Sequence, residues 1–151
     1  MALLQKKILS DEELKALAAV IAETERDTSG EIRIVLRERR QWNEKNLSLA
    51  ALALKEFYRL GMQKTRDKTG VLILLLLSEK KLYVAADEFI HTRVEEGTWD
   101  KIAEGMSARF KEGRFIEGLS EAVRAVGVPL KQHFPRRPDD TNELPNEIVQ
   151  R

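Results

Sequence analysis

Asp87 and Glu88 are adjacent carboxylates at the end of the apolar run "KLYVAADE", and Glu31 and Asp67 each stand before an apolar run of their own. Asp100 opens a helical pattern a little further on. Carboxylates drawn from separate segments suit a hard cation, because calcium takes about six to eight oxygen ligands from carboxylates, carbonyls, hydroxyls and waters. Calcium is the first candidate for such a site and magnesium the second. Thr69 in the loop "RDKTG" offers a hydroxyl, and Glu95 and Glu96 are placed to close the site from the loop before Asp100. A simpler account competes with this one. The chain has 25 acidic residues, so some must meet at any sheet edge, and an aspartate in the first turn of a helix is explained by the helix dipole. Neighbours in extended chain also point oppositely, so Asp87 and Glu88 share one ion only if the chain bends between them.

Other chemistries find less support. There is no cysteine, which excludes disulfides, thiolate metal sites and cysteine nucleophiles. His91 and His133 are the only histidines, and no H-E-x-x-H spacing links them to a zinc site. The glycine patterns of dinucleotide sites, P-loops and nucleophile elbows are missing, and no base accompanies any serine. Trp42, among arginines in a polar loop, is either an exposed anchor or a lid on the nearest helix, and the burial tendency of tryptophan favours the lid. Trp99, Met106 and Phe110 form one buried helix face rather than a cofactor box.

The acids can converge only if the elements carrying them run in particular directions. Val71 to Leu77 is seven apolar residues stopped by "SEKK". A membrane helix needs about 20, whereas a short run bounded by turn signals fits a strand covered on both faces. "EIRIVLR" alternates, with Ile32, Ile34 and Leu36 on one side and Glu31, Arg33, Val35 and Arg37 on the other, which predicts a half-covered strand. Between them, Leu47 to Leu60 carries Ala50, Ala53, Leu54 and Phe57 on one helical stripe and closes at Gly61. Strand, helix, strand predicts a parallel pair with a right-handed crossover. "SEKK" then turns "KLYVAA" back antiparallel. The end of that third strand must therefore lie where the other two begin, which gathers Glu31, Asp67, Asp87 and Glu88 at one edge.

Three further helices supply the layers. Ser10 and Glu13 form a capping box before Leu14, Leu17, Ala18 and Ile21, predicting a helix from about Asp11 to Asp27. A third helix follows Thr98, and a fourth carries Phe115, Leu119, Ala122, Val123 and Val126, with Gly118 inside it and Pro129 kinking or ending it. Residues 1–134 read as a single domain, in keeping with 151 residues in all, and 135–151 as an extended tail without periodicity. Within the tail, "TNELPNEI" either docks on a partner or folds back through Leu144 and Ile148. The net charge of +1 argues against nucleic acid as a partner. "MALLQKKIL" lacks the order of a secretory signal, so a cytoplasmic monomer, not embedded in a membrane, is expected.

Taken in order, "SGEIRIVL", "ALKEFYRLGMQKT", "GVLILLLLSEKKLYVAAD", "TWDKIAEGMSARFKEGRFIEGLSEAVRAVG" and the ending "HFP" with "TNELPNEI" resemble the TPM domain family, in its short soluble bacterial branch. The resemblance implies a three-layer α/β/α sandwich around a mixed sheet of about four strands. It also implies a module that binds calcium or another divalent metal and a protein partner, in some members in the upkeep of membrane protein complexes. The alternative it offers is a metal-dependent acid phosphatase, in which the ion polarises a phosphoryl oxygen and activates water. The family's site lies at the edge described above. Asp87 matches it, whereas Lys68 stands where an acid is usual and Ala86 and Phe89 stand where small glycines are usual. Those departures weigh against catalysis.

Overall fold

The apolar run too short for a membrane is an inner strand of a four-stranded mixed sheet. The computed structural model describes residues 8–64, 69–138 and 148–151. Strand β1 (Glu31–Arg37) pairs in parallel with β2 (Gly70–Leu76), Glu31 facing Gly70 and Arg37 facing Leu76. Strand β3 (Lys81–Ala86) returns antiparallel on the other side of β2. The turn between them is a short 3-10 segment, Leu77–Glu79, followed by Lys80 in the left-handed region at φ 51°.

Helices cover both faces. On one lie α1 (Asp11–Glu25), α4 (Thr98–Lys111) and α5 (Phe115–His133), which bury Leu17, Ile21, Phe110, Leu119 and Val123 against Ile32, Ile34, Val71 and Ile73. On the other, α2 (Leu49–Arg59) packs Leu52, Ala53 and Phe57 on Val35, Leu72 and Leu74. The result is the expected α/β/α sandwich. Side chains at alternate β2 positions enter opposite cores, which is why the strand is apolar throughout rather than alternating. Among the described residues, no helix is long and apolar enough to cross a membrane.

The capping box is present: Ser10 Oγ accepts from Glu13 N at 3.1 Å, and Glu13 Oε1 accepts from Ser10 N at 3.0 Å. Gly118 is explained by contact, because a Cβ there would stand 2.8 Å from Phe110 Cε1.

Four expectations need correction. β1 is covered on both faces, and Arg33 and Arg37 are buried because acidic partners lie beside them. Of the two outcomes expected at Pro129, a kink or an end, the end is ruled out: α5 runs four residues beyond it to His133 while Val126 and Leu130 stay in the core. Burial on both sides of the proline outweighs its missing N–H. An additional short helix, α3 (Glu88–His91), follows β3 directly. Finally, the end of the supposed tail is strand β4 (Ile148–Gln150), parallel to β1 with Ile34 facing Ile148, so the sheet order is β3-β2-β1-β4. The fold-back reading is thus met at Ile148, while Leu144 lies outside the described residues.

Candidate functional site

The strand directions bring three chain segments to one end of the sheet. Glu31 N donates to Thr69 O at 3.0 Å, and Asp87 N donates to Gly70 O at 2.9 Å. At Asp87 the chain leaves the sheet and enters α3, with Asp87 Oδ1 accepting from Phe89 N at 3.4 Å as the helix cap. This bend lets neighbouring carboxylates share one side. Asp87 and Glu88 both line a cavity of about 660 Å³, and Asp100 of α4 lines it with them.

The other sequence candidates are placed differently. Glu31 has its backbone at this end of the sheet, but its side chain is buried 3.8 Å from Arg33 Nη2 and does not line the cavity. Thr69 Oγ1 donates to Ser29 O at 3.1 Å. Glu95 and Glu96 are also absent from the lining, and the Glu95 carbonyl accepts from Thr98 Oγ1 at 2.7 Å. Asp67 and Lys68 lie outside the described residues. Among the described residues, no three His, Asp or Glu side chains stand close enough to hold a metal ion.

Sequence reasoning missed the walls of the cavity. Leu54 and Tyr58 of α2, 51% and 55% exposed, form one side, Trp99 of α4 forms the other, and Tyr83 to Ala86 of β3 lie between. These segments are far apart in the chain. The helical stripe read from the sequence put Ala50 and Leu54 with Ala53 and Phe57, but only Ala53 and Phe57 are buried, and Leu54 points to the cavity instead.

At the opposite end of β1, a buried charge cluster escaped notice. Glu44 accepts from Arg37 Nη1 and Nη2 at 3.1 and 2.5 Å, from Lys55 Nζ at 2.7 Å and from Gln41 N at 2.8 Å. The hydrogen bonds from Arg37 dominate, and they hold the Glu44 carboxyl down at about 2. Nearby, Arg40 Nε donates to Glu79 Oε2 at 2.6 Å, which lowers the Glu79 carboxyl and raises the Arg40 guanidinium. Trp42 is 83% exposed, so the lid reading fails. An arginine on the supposed solvent face of β1 was the available signal.

Fold and cavity together define a three-layer α/β/α domain with an acidic mouth at one end of its outer strand. The chain belongs to the TPM domain family, whose pattern matches residues 4–128. It is similar to the solved BA42 protein of the psychrophilic bacterium Bizionia argentinensis: 32% identity, TM-score 0.84, 96% of this chain and 97% of that one. Two further likenesses concern the fold alone. One is the N-terminal domain of a P. gingivalis protein, at 20% identity, TM-score 0.67 and 84% and 79% coverage of this chain and that one. The other is the N-terminal domain of the cg2496 protein of Corynebacterium glutamicum, at 8%, 0.62, 90% and 82%. None of the curated proteins compared matches the chain.

Proposed function

We propose that this TPM domain is a binding module whose acidic-mouthed cavity takes a divalent cation, calcium first and magnesium second, and engages a protein partner. One observation carries the cation half. Asp87, Glu88 and Asp100 line one cavity, and none of them has an ion-pair partner among the described residues, whereas the buried Glu25, Glu44 and Glu56 are all paired. With no cage of three carboxylates, an ion here keeps much of its water. That coordination fits a hard cation bound weakly, with a dissociation constant on the order of 10⁻⁴ to 10⁻³ M.

Calcium titration followed by amide shifts tests the reading. The amides of Asp87, Glu88 and Asp100 should move at millimolar calcium and stay still in Asp87→Ala; no response near Asp87 would remove the cation from the account. Turnover of p-nitrophenyl phosphate that disappears with chelator and with the same substitution would instead favour the phosphatase.

A further inference from the structure

β3 is an outer strand, and its register determines which backbone groups face outward. Asp87 N bonds Gly70 O, and Val71 stands opposite Ala86. Bonded and non-bonded pairs alternate along an antiparallel ladder. Tyr83 and Ala85 therefore turn their N–H and C=O groups toward β2, and Leu82, Val84 and Ala86 turn theirs outward. No backbone hydrogen bond joins these three to a described residue outside the sheet. Proteins commonly blunt such an edge with proline, charge or a bulge. From Leu82 to Ala86, β3 has no proline, charge or bulge; Leu82 and Val84 are each 5% exposed because their side chains enter the core, and Ala86 is half-buried.

The cavity follows this edge. Four consecutive residues, Tyr83 to Ala86, line it, as they would along a strand's side rather than over one face of a sheet. Leu54 and Tyr58 wall it from one layer and Trp99 from the other. Trp99 is 7% exposed, and its indole N–H has no hydrogen-bond acceptor among the described residues. Asp87, Glu88 and Asp100 give one end negative charge.

We infer that this groove takes an extended basic segment of a partner protein, added as a strand to β3. Its backbone bonds the outward groups of Val84 and Ala86, and its alternate side chains meet the Leu54–Tyr58 wall and the Trp99 wall. A lysine or arginine of the segment reaches the acids at the mouth. Two other occupants fit less well. A second copy would set one recessed groove against another and keep the two edges apart. Residues 139–147 of this chain include Asp139, Asp140, Glu143 and Glu147, which the acidic mouth repels, and they lead into β4 at the far side of the sheet.

This inference deepens the partner half of the proposed function and does not need the ion. The test is to pan a random heptapeptide library against the full chain, in chelator and in calcium, and then titrate the enriched peptides while following amide shifts. The expected peptides alternate apolar residues and carry lysine or arginine, bind in chelator, and shift Val84 and Ala86. Tyr58→Lys, at an exposed wall position, should weaken them about tenfold, equivalent to about 1.4 kcal/mol. Asp100→Asn should lessen the preference for basic residues. Failure to enrich such peptides, shifts confined to other surfaces, or indifference to Tyr58→Lys overturns the inference. So do concentration-dependent shifts at Val84 and Ala86 without peptide, which would mean that a second copy is the occupant. Peptide binding without any calcium response would sink only the cation reading.

Discussion

The two sides of the sheet end differently: on one, β1 is flanked by the three-residue outer strand β4, and on the other, β3 is itself the outer strand. Along β1, Ile34 to Leu36 are paired by the three residues of β4, and where β4 stops short, Glu25 Oε2 accepts from Ile32 N at 2.7 Å and from Arg33 Nη1 at 3.1 Å. A side-chain carboxylate there does the work of a strand carbonyl. β4 is itself tied down, since Gln150 Oε1 accepts from the Ile8 and Leu9 N–H groups and Arg151 Nε donates to Glu56 at 3.0 Å. On the outward side of β3, six residues long, no backbone hydrogen bond joins Leu82, Val84 or Ala86 to a described residue outside the sheet, although the Leu82 and Val84 side chains are buried. Its neighbours are apolar walls and unpaired acids. An edge closed by short strands and buried charge is protected against further pairing, whereas an open edge inside a groove is available for it.

The contrast is broken most severely at Glu25. Glu25→Ala leaves the Arg33 charge buried without its nearest carboxylate and should cost about 3–5 kcal/mol in urea unfolding. A loss below about 1 kcal/mol would mean that the β1 edge is not sealed by this carboxylate.

Glu44 sharpens the comparison, because it closes the far end of β1. Its carboxyl titrates lower in the folded protein than in the unfolded chain, so its contribution is complete above the unfolded value of about 4.3 and is lost as pH falls through about 2. The size is roughly 3 kcal/mol, at about 1.36 kcal/mol per pH unit of displacement. Unfolding free energy measured between pH 5 and pH 2 should fall accordingly, on the order of the linkage expected for one displaced carboxylate. Glu44→Gln should be less stable at neutral pH and show a shallower fall; an unchanged slope would contradict the assignment.

Long-period features were legible in the sequence, and compensated charges were not. The continuous run of β2, the hairpin after it and the capping box at Ser10 each follow from a local rule, and together they fixed the direction that places Asp87 and Glu88 beside the starts of β1 and β2. Periodicity failed at β1 because it equates charge with solvent; Glu31 stands on the same side as Arg33, but nothing in the chain says that Glu25 of α1 will reach it and bury the pair. It failed at β4 because three residues carry no period. Of the candidate site, the acids were readable from strand direction. The groove was not, since Leu54, Tyr58 and Trp99 become its walls only when α2 and α4 pack on either side of β3.

Amide-resolved hydrogen exchange of the free protein tests the open edge most directly. Val84 and Ala86 should exchange at least about a hundredfold faster than Tyr83 and Ala85, while Ile32 on the sealed side exchanges slowly, as outward and bonded amides do. Protection of Val84 and Ala86 equal to that of Tyr83 and Ala85 would show that their N–H groups are already engaged, and would contradict the open edge.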